Sequence, residues 1–199
     1  MNIKKLKVKL ASHYYLEAID GIYDSSTALK AKLESELKQQ ADEIEADKAL
    51  SEDDKGHMLS FLADDIFIAE ITTNLAGEMM IVALYKTIEI AIKKMAASSD
   101  LFTPVQIASF YKMSELRKQF KNKVCDLKTI QMFKQFDELR CINNSIKHSG
   151  IVSKELAAYP GWKEGQSLTN LHTHYYRLRN DVDKFVEALQ EEIIKKIPN

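Results

Sequence analysis

The chain has 199 residues, of which 45% are hydrophobic, and its formal net charge is −1. This length is enough for one well-buried core, and the balanced charge gives no overall reason to expect a nucleic acid or a membrane as partner. Only six glycines and three prolines are present, which favours helices. We therefore expect a single all-α domain over residues 1–199, in a soluble protein of the cytoplasm.

The charged residues are divided unevenly along the chain. Acidic residues dominate residues 34–65, and basic residues dominate residues 112–148. The basic part could attract a polyanion such as RNA, although charged runs of this kind are more often simply solvated. The N-terminus is charged and no uninterrupted apolar segment follows it, which argues against a secretory signal. Cys125 and Cys141 lack the spacing of a metal or redox motif, so we expect buried thiols.

The first part of the chain is predicted to form two helices. Apolar residues recur with helical spacing from Leu6 to about Tyr23, and Asp24-Ser25-Ser26 could cap a second helix. Residues 26–48 then carry a narrow apolar stripe among charged side chains: Leu29, Leu33, Leu37, Ala41 and Ile44. Such a stripe predicts a projecting helix or a seam that pairs with another helix.

The most apolar part of the chain begins after Ser51, which forms a helix start resembling a capping box with Asp54. From there the chain stays apolar to about Met95, as one long helix or as two helices broken near residues 74–77. Because residues 66–92 contain four charged side chains, we expect a buried core helix and no membrane span. The four are Glu70, Glu78, Lys86 and Glu89.

Three further helices complete the predicted bundle. Thr103-Pro104 gives a cap and a first-turn proline to a helix that ends near Phe120. The next two helices are predicted from about Leu127 to Ser149 and from about Thr169 to Ile194. Residues 150–167 between them are loop-like, and no part of the sequence alternates as a strand would.

Two aromatic features near the C-terminus each have a functional and a simpler explanation. Trp162 could stack on a base of single-stranded RNA, but anchoring the long loop is the simpler role. His172 and His174 are close enough in sequence to suggest a pair of metal ligands. Residues two apart on a helix, however, point about 200° from each other. We therefore expect no metal site. The sequence also has no glycine-rich phosphate loop, so no cofactor is expected.

The helix predicted before Gly150 has a polar stripe near its end. Arg140, Asn144 and His148 are four residues apart and lie above one another, with Asn143 and Lys147 on the flank. The opposite side is apolar: Phe136, Leu139, Ile142 and Ile146. The stripe is a candidate anion or phosphate site. A solvated face, ending in a Lys-His pair that complements the helix dipole, is the alternative.

The segment Asn143-Asn-Ser-Ile-Lys-His148, followed by Ser-Gly late in an all-helical chain, resembles the signature of the HEPN family (higher eukaryotes and prokaryotes nucleotide-binding domain). That signature is an arginine, usually followed by Asn, Asp or His, then three residues and a histidine. Asn144 matches the polar residue and His148 the histidine, whereas Asn143 occupies the arginine position. The nearest arginine is Arg140, three residues earlier.

The resemblance implies an up-and-down helical bundle, commonly a homodimer in which the motifs of both chains face a shared cleft. Many members are metal-independent endoribonucleases of toxin–antitoxin, CRISPR and other defence systems, which makes RNA and an antitoxin protein the expected partners. His148 would be the acid/base group acting on the ribose 2′-hydroxyl, because imidazole titrates near neutrality. Arg140, supported by Lys147, would stabilise charge on the phosphate, and Asn144 would position the phosphate or the imidazole.

The resemblance also implies a supporting role for Glu89. HEPN-like proteins carry similar helices with Tyr, Glu and Lys, in which the acid can face the motif. Here Glu89 lies on a strongly apolar helix, where an unpaired carboxylate would be costly to bury. It could orient Arg140 or His148, or be an ordinary exposed or paired glutamate.

Asn143 leaves the catalytic activity open, because a neutral amide cannot replace a guanidinium in stabilising phosphate charge. A catalytically inactive HEPN-like module that binds RNA, a nucleotide or a protein is the main alternative to the endoribonuclease. A purely structural helical protein is a third.

Overall fold

The structure is a computed structural model that describes residues 2–198, so Met1 and Asn199 of the predicted domain lie outside it. Seven α-helices and three short 3-10 helices form over these residues, and one isolated bridge joins Ile151 to Ser167. The α-helices are α1 Ile3–Ala11, α2 Glu17–Ala46, α3 Glu52–Ser99, α4 Pro104–Ala108, α5 Met113–Lys123, α6 Phe133–His148 and α7 Leu171–Lys196. The 3-10 helices are Ser109–Tyr111, Leu127–Thr129 and Leu156–Ala158. The predicted all-α bundle is confirmed.

The core of the bundle is built around the second half of α3, which packs against α1, α6 and α7. Each of these helices turns its apolar stripe inward, as the 3.6-residue period requires. The aromatic rings of Phe136 on α6 and Phe185 on α7 stack with their centres 4.6 Å apart. Fully buried members of the core include Met80, Leu84, Ile88, Leu139, Ile142, Tyr175, Leu178, Val182 and Leu189.

The α3 helix runs unbroken through residues 74–77, which decides between the two predicted arrangements. Its N-terminus is capped as expected, because the Ser51 hydroxyl accepts a hydrogen bond from the Asp54 backbone N–H. Gly77 lies in the helix where the start of α7 crosses it. A Cβ there would be 3.1 Å from the backbone nitrogen of His172, so the glycine permits close helix packing rather than a break.

Two predicted boundaries in the first part of the chain are wrong. The helix expected from Leu6 to Tyr23 is divided into α1 and α2 by residues 12–16, and α2 continues through the predicted cap at residues 24–26. Within α2 the Thr27 hydroxyl donates to the backbone carbonyls of Tyr23 and Asp24. A short hydroxyl side chain can therefore donate to a carbonyl of the preceding turn of its own helix instead of capping the start of a new helix.

The end of the chain differs less from the prediction. The α6 helix begins at Phe133 rather than Leu127, because Leu127–Thr129 forms a 3-10 turn and Met132 adopts a left-handed conformation with φ of 60°. The α7 helix begins at Leu171, two residues after the predicted start.

The outer part of α2 and the first half of α3 form an antiparallel hairpin. Lys30 pairs with Glu70 at 3.9 Å, and the Lys55 ammonium donates to the backbone carbonyl of Glu45 at 3.1 Å, which fixes the two helices side by side. Of the stripe predicted in residues 26–48, Leu37 is buried and Leu29 is 62% exposed.

A second apolar face of α3 is exposed, although residues 66–92 were expected to be buried. Burial is confined to the face that meets the bundle. Six large apolar side chains of α3 are each at least half exposed: Phe61, Phe67, Ile68, Ile71, Leu75 and Met79. By length and composition alone, α3 is also the one helix in residues 2–198 that could cross a membrane. Of its apolar 18-residue segment, 28% is buried inside the protein.

Candidate functional site at the end of helix α6

The end of α6 presents Lys147 and His148 to solvent. Both lie in the last helical turn, where positive charge complements the helix dipole. The helix ends at His148, and Gly150 follows with a φ of 67° that suits glycine and an N–H that donates to the Ser145 carbonyl at 2.9 Å. The predicted apolar side of the helix is confirmed for Phe136, Leu139 and Ile142, which are buried, whereas Ile146 is only partly covered.

Arg140 is held by carboxylates on one side of the helix. Its Nε donates to Asp137 Oδ1 at 2.7 Å, and its Nη2 donates to Glu155 Oε2 at 3.2 Å. Asp137 also accepts a hydrogen bond of 2.7 Å from the Tyr159 hydroxyl. Although burial opposes it, the hydrogen bond to Asp137 raises the pKa of Arg140 above its ordinary value. The guanidinium charge is therefore already compensated within the chain.

Asn143 does not lie on the polar flank where the spacing predicted it. It is 1% exposed, and neither polar atom of its side chain has a hydrogen-bond partner within residues 2–198. The physical reason is the packing of α6 between α3 and α7, because eight of the sixteen residues of α6 are buried. The residue at the arginine position of the HEPN signature is thus enclosed in the protein, out of reach of a phosphate.

The structure does not bring Arg140 and His148 together. Eight residues on an α-helix span about 12 Å, and the Arg140 guanidinium bonds to Asp137, one turn further from His148. Asn144, between them, is half-buried. In the part of the chain that the structure describes, no side chain bonds to His148 to orient its imidazole.

Glu89 pairs with two lysines of its own helix and with neither Arg140 nor His148. Its carboxylate accepts hydrogen bonds from Lys93 at 2.5 Å and from Lys86 at 3.5 Å. Although burial opposes it, these ammonium groups hold the pKa of Glu89 below its ordinary value. The supporting role predicted for Glu89 has no counterpart in these contacts, which agree with the alternative of a paired glutamate.

Glu138 is a buried anchor that sequence reasoning missed. Its carboxylate accepts hydrogen bonds from Trp162 Nε1 at 2.8 Å and from Arg177 Nη2 at 2.6 Å. The Trp162 ring stacks on His174 with the ring centres 4.2 Å apart. Trp162 therefore anchors the loop of residues 150–167, as its simpler explanation predicted.

An open cleft of about 1020 Å³ lies between α6, this loop and α7. Three cations line it: Arg140 and Arg177, whose guanidinium groups are paired with carboxylates, and the exposed Lys134. Cys141 also lines it, and burial raises the pKa of this thiol to about 12, so the thiol stays neutral at physiological pH. The bonds from Arg140 to Glu155 and from Trp162 to Glu138 brace the loop against α6.

The two histidines of α7 face different neighbours. His172 stacks on Tyr23 of α2 at 4.4 Å between ring centres, while His174 stacks on Trp162. Over residues 2–198 no three His, Cys, Asp or Glu side chains cluster closely enough to hold a metal ion.

Comparison with models of known protein families, with curated proteins and with solved structures found no match to this chain. The HEPN resemblance therefore rests on the α6 motif and the helical layout.

Proposed function

We propose that the chain is a catalytically silent HEPN-like module whose function is to bind protein. The observation that carries the proposal is the exposed apolar face of α3, which we call the α3 stripe: Phe61, Ile68, Ile71, Leu75 and Met79. Contiguous apolar surface of this kind is characteristic of interaction sites in folded proteins.

Three features of α6 support the absence of catalysis. Asn143 occupies the arginine position and is buried, and Arg140 is neutralised by Asp137 and Glu155. Within residues 2–198, His148 has no hydrogen-bond partner that would orient it. Acid–base catalysis on a phosphodiester needs a positioned imidazole and a positive charge close to it. In a single chain, the imidazole of His148 and the guanidinium of Arg140 do not meet these two conditions.

A protein fits the α3 stripe better than a lipid bilayer does. The other side of the same helix segment packs against α2, and this pairing includes the Lys30–Glu70 ion pair. Asp64 and Asp65 interrupt the stripe itself and are exposed. Carboxylates and ion pairs are costly inside hydrocarbon, whereas they form the ordinary polar rim of a protein interface.

Photo-crosslinking in cells that produce the protein tests the proposal. A benzophenone amino acid at Leu75 should give protein adducts, whereas the same group at Val105, an exposed apolar residue on α4, should give none. Recovery of the Leu75 variant in the membrane fraction without any protein adduct would contradict the proposal.

The endoribonuclease is the second candidate, favoured by Lys147 and His148, which are exposed at the end of α6. It predicts cleavage of single-stranded RNA in the presence of EDTA, with 2′,3′-cyclic phosphate ends, because the 2′-hydroxyl would attack. His148→Ala should then abolish cleavage, and Arg140→Ala should slow it by about 10- to 1000-fold. The silent module predicts no cleavage by the parent protein, and cleavage that requires His148 would refute it.

A further inference from the structure

Helix α1 exposes apolar side chains on the side that faces away from the bundle. Ile3 is 70% exposed, Leu6 36% and Leu10 62%, whereas Val8 is fully buried in the core. With successive residues about 100° apart, the three exposed side chains fall within an arc of about 60°, and Val8 points roughly opposite to them. The inner side of α1 therefore attaches the helix to the bundle. The outer side, which we call the α1 ridge, presents Ile3, Leu6 and Leu10 to solvent.

Lysines lie on both sides of the α1 ridge. The helical spacing places Lys7 on one side of it and Lys9 on the other, and both side chains are exposed. Residues 2–16 contain four lysines and neither Asp nor Glu. Lys9 shares a cleft with three acidic residues on the flank towards α7, but neither Lys7 nor Lys9 forms an ion pair within residues 2–198. The ridge is therefore apolar along its length and positively charged at its edges.

The ends of two other helices lie beside the start of α1. Lys4 pairs with Asp100, which directly follows α3, with Nζ 2.7 Å from the carboxylate. The side-chain amide of Asn2 donates to the carbonyl of Pro198, just beyond the end of α7, at 2.8 Å. The last turn of α7 carries two further exposed lysines. The α1 ridge thus belongs to an end of the bundle to which α7 also contributes positive charge.

The opposite end of the molecule is strongly acidic. Residues 41–65, at the tip of the hairpin of α2 and α3, contain nine Asp and Glu against two Lys, and all nine are exposed. From Asp65 to Ser99 the α3 helix extends about 50 Å towards the α1 end. An anionic surface attracts the α1 end and repels the acidic tip. This separation of charge gives the chain a preferred orientation on such a surface.

We propose that α1 docks the chain on a phospholipid bilayer with anionic headgroups, as a helix that lies in the membrane surface and does not cross it. The α1 ridge enters the boundary between headgroups and acyl chains. Lys7 and Lys9 reach the lipid phosphates while their methylene stems stay beside the apolar side chains. Lysines alone would also attract a nucleic acid, but the aliphatic side chains of the ridge cannot stack on bases and favour lipid. Docking through α1 leaves the α3 stripe free to bind protein and is independent of the proposed function.

Co-sedimentation of the purified full chain with lipid vesicles tests the proposal. Binding to phosphatidylcholine vesicles that contain about 30% phosphatidylglycerol should be at least about tenfold tighter than binding to phosphatidylcholine alone, because each lysine near an anionic surface adds attraction. Leu10→Ser should weaken binding to the anionic vesicles about 10-fold, since it removes part of the inserted apolar surface. Lys7→Glu should weaken it about 10- to 30-fold, since it reverses a charge beside the headgroups.

Matched controls make the same changes elsewhere on the chain. Leu75→Ser removes an exposed leucine of the α3 stripe, and Lys163→Glu reverses an exposed lysine in the loop of residues 150–167. Both variants should bind anionic vesicles as the parent does. Leu10 and Leu75 are 62% and 52% exposed, so both serine variants should remain folded, as circular dichroism would verify. Lys7→Glu removes no apolar contact and tests the same surface if Leu10→Ser does not fold.

Four outcomes would overturn the proposal. A parent protein that does not bind anionic vesicles at about millimolar lipid excludes membrane docking. Equal affinity for neutral and anionic vesicles excludes the role of the lysines. Weakening by Leu75→Ser as large as that by Leu10→Ser excludes α1 as the docking element. Binding that Lys7→Glu abolishes, that Leu10→Ser leaves intact and that single-stranded RNA displaces identifies a surface for nucleic acid instead of lipid.

Discussion

Glu138→Ala removes a buried carboxylate on which two separate parts of the chain converge. Glu138 is 5% exposed and accepts one hydrogen bond from Trp162 and two from Arg177. The first bond ties the loop of residues 150–167 to α6, and the others tie α7 to the same helix. Without the carboxylate, the indole N–H and the guanidinium lose the acceptor that holds them.

The cost of this substitution follows from the burial of each partner. Breaking a buried ion pair by removing one side costs about 3–5 kcal/mol. The Arg177 side chain is 46% exposed, so its guanidinium regains water and the cost falls. We expect the free energy of unfolding to decrease by about 2–3 kcal/mol, and Tm to fall by roughly 4–12 °C in a chain of this size. Glu138→Gln keeps an acceptor oxygen for Trp162 and should cost about half as much.

Urea unfolding provides the measurement, because Trp162 is the only tryptophan and its fluorescence reports on this contact directly. Circular dichroism should show the same transition. Glu164→Ala, an exposed glutamate in the same loop, is the matched control and should change stability by less than about 0.5 kcal/mol. A Glu138→Ala protein as stable as this control, with unchanged tryptophan emission, would refute the proposed bracing of the loop.

Two further predictions concern polar groups near α6, the buried Asn143 and the half-buried His174. Asn143→Ala should leave the free energy of unfolding unchanged or raise it by up to about 1 kcal/mol, because both polar atoms of the side chain are buried without a hydrogen-bond partner among residues 2–198. A urea midpoint showing a loss above about 1 kcal/mol would contradict this. Burial and the nearby Arg177 guanidinium lower the pKa of His174, so the unfolded chain takes up the proton first and stability is lost as pH falls below about 6.5. His174→Phe keeps a ring against Trp162 and should lose less stability between pH 7 and pH 5 than the parent, and equal losses would exclude His174 as the cause.

The helical architecture was predictable because caps and apolar periods are local signals. Ser51 and Thr103 both cap helices as expected. The uninterrupted course of α3 was left open by the sequence, since Gly77 is equally consistent with a break and with close packing of another helix. Only the position of α7 across Gly77 decides between them.

The α6 site was predictable in part. Spacing predicts that Arg140, Asn144 and His148 share one side of the helix, but it cannot show which other positions the neighbouring helices cover, and so Asn143 was misplaced. The i, i+3 spacing of Asp137 and Arg140 could have indicated their ion pair. Glu155 and Tyr159 reach the same cluster from a loop of irregular conformation, for which the sequence has no periodic signal.

The contacts of α6 determine which substitutions can test the motif. Arg140 joins Asp137 to Glu155, so removing it disturbs the attachment of the loop as well as any role towards a phosphate. A slower reaction in Arg140→Ala would therefore have a structural explanation. His148 is exposed in the last turn of the helix and contributes nothing to the core. Because its loss should leave the fold intact, His148→Ala tests the chemistry of the motif separately from the stability of the protein.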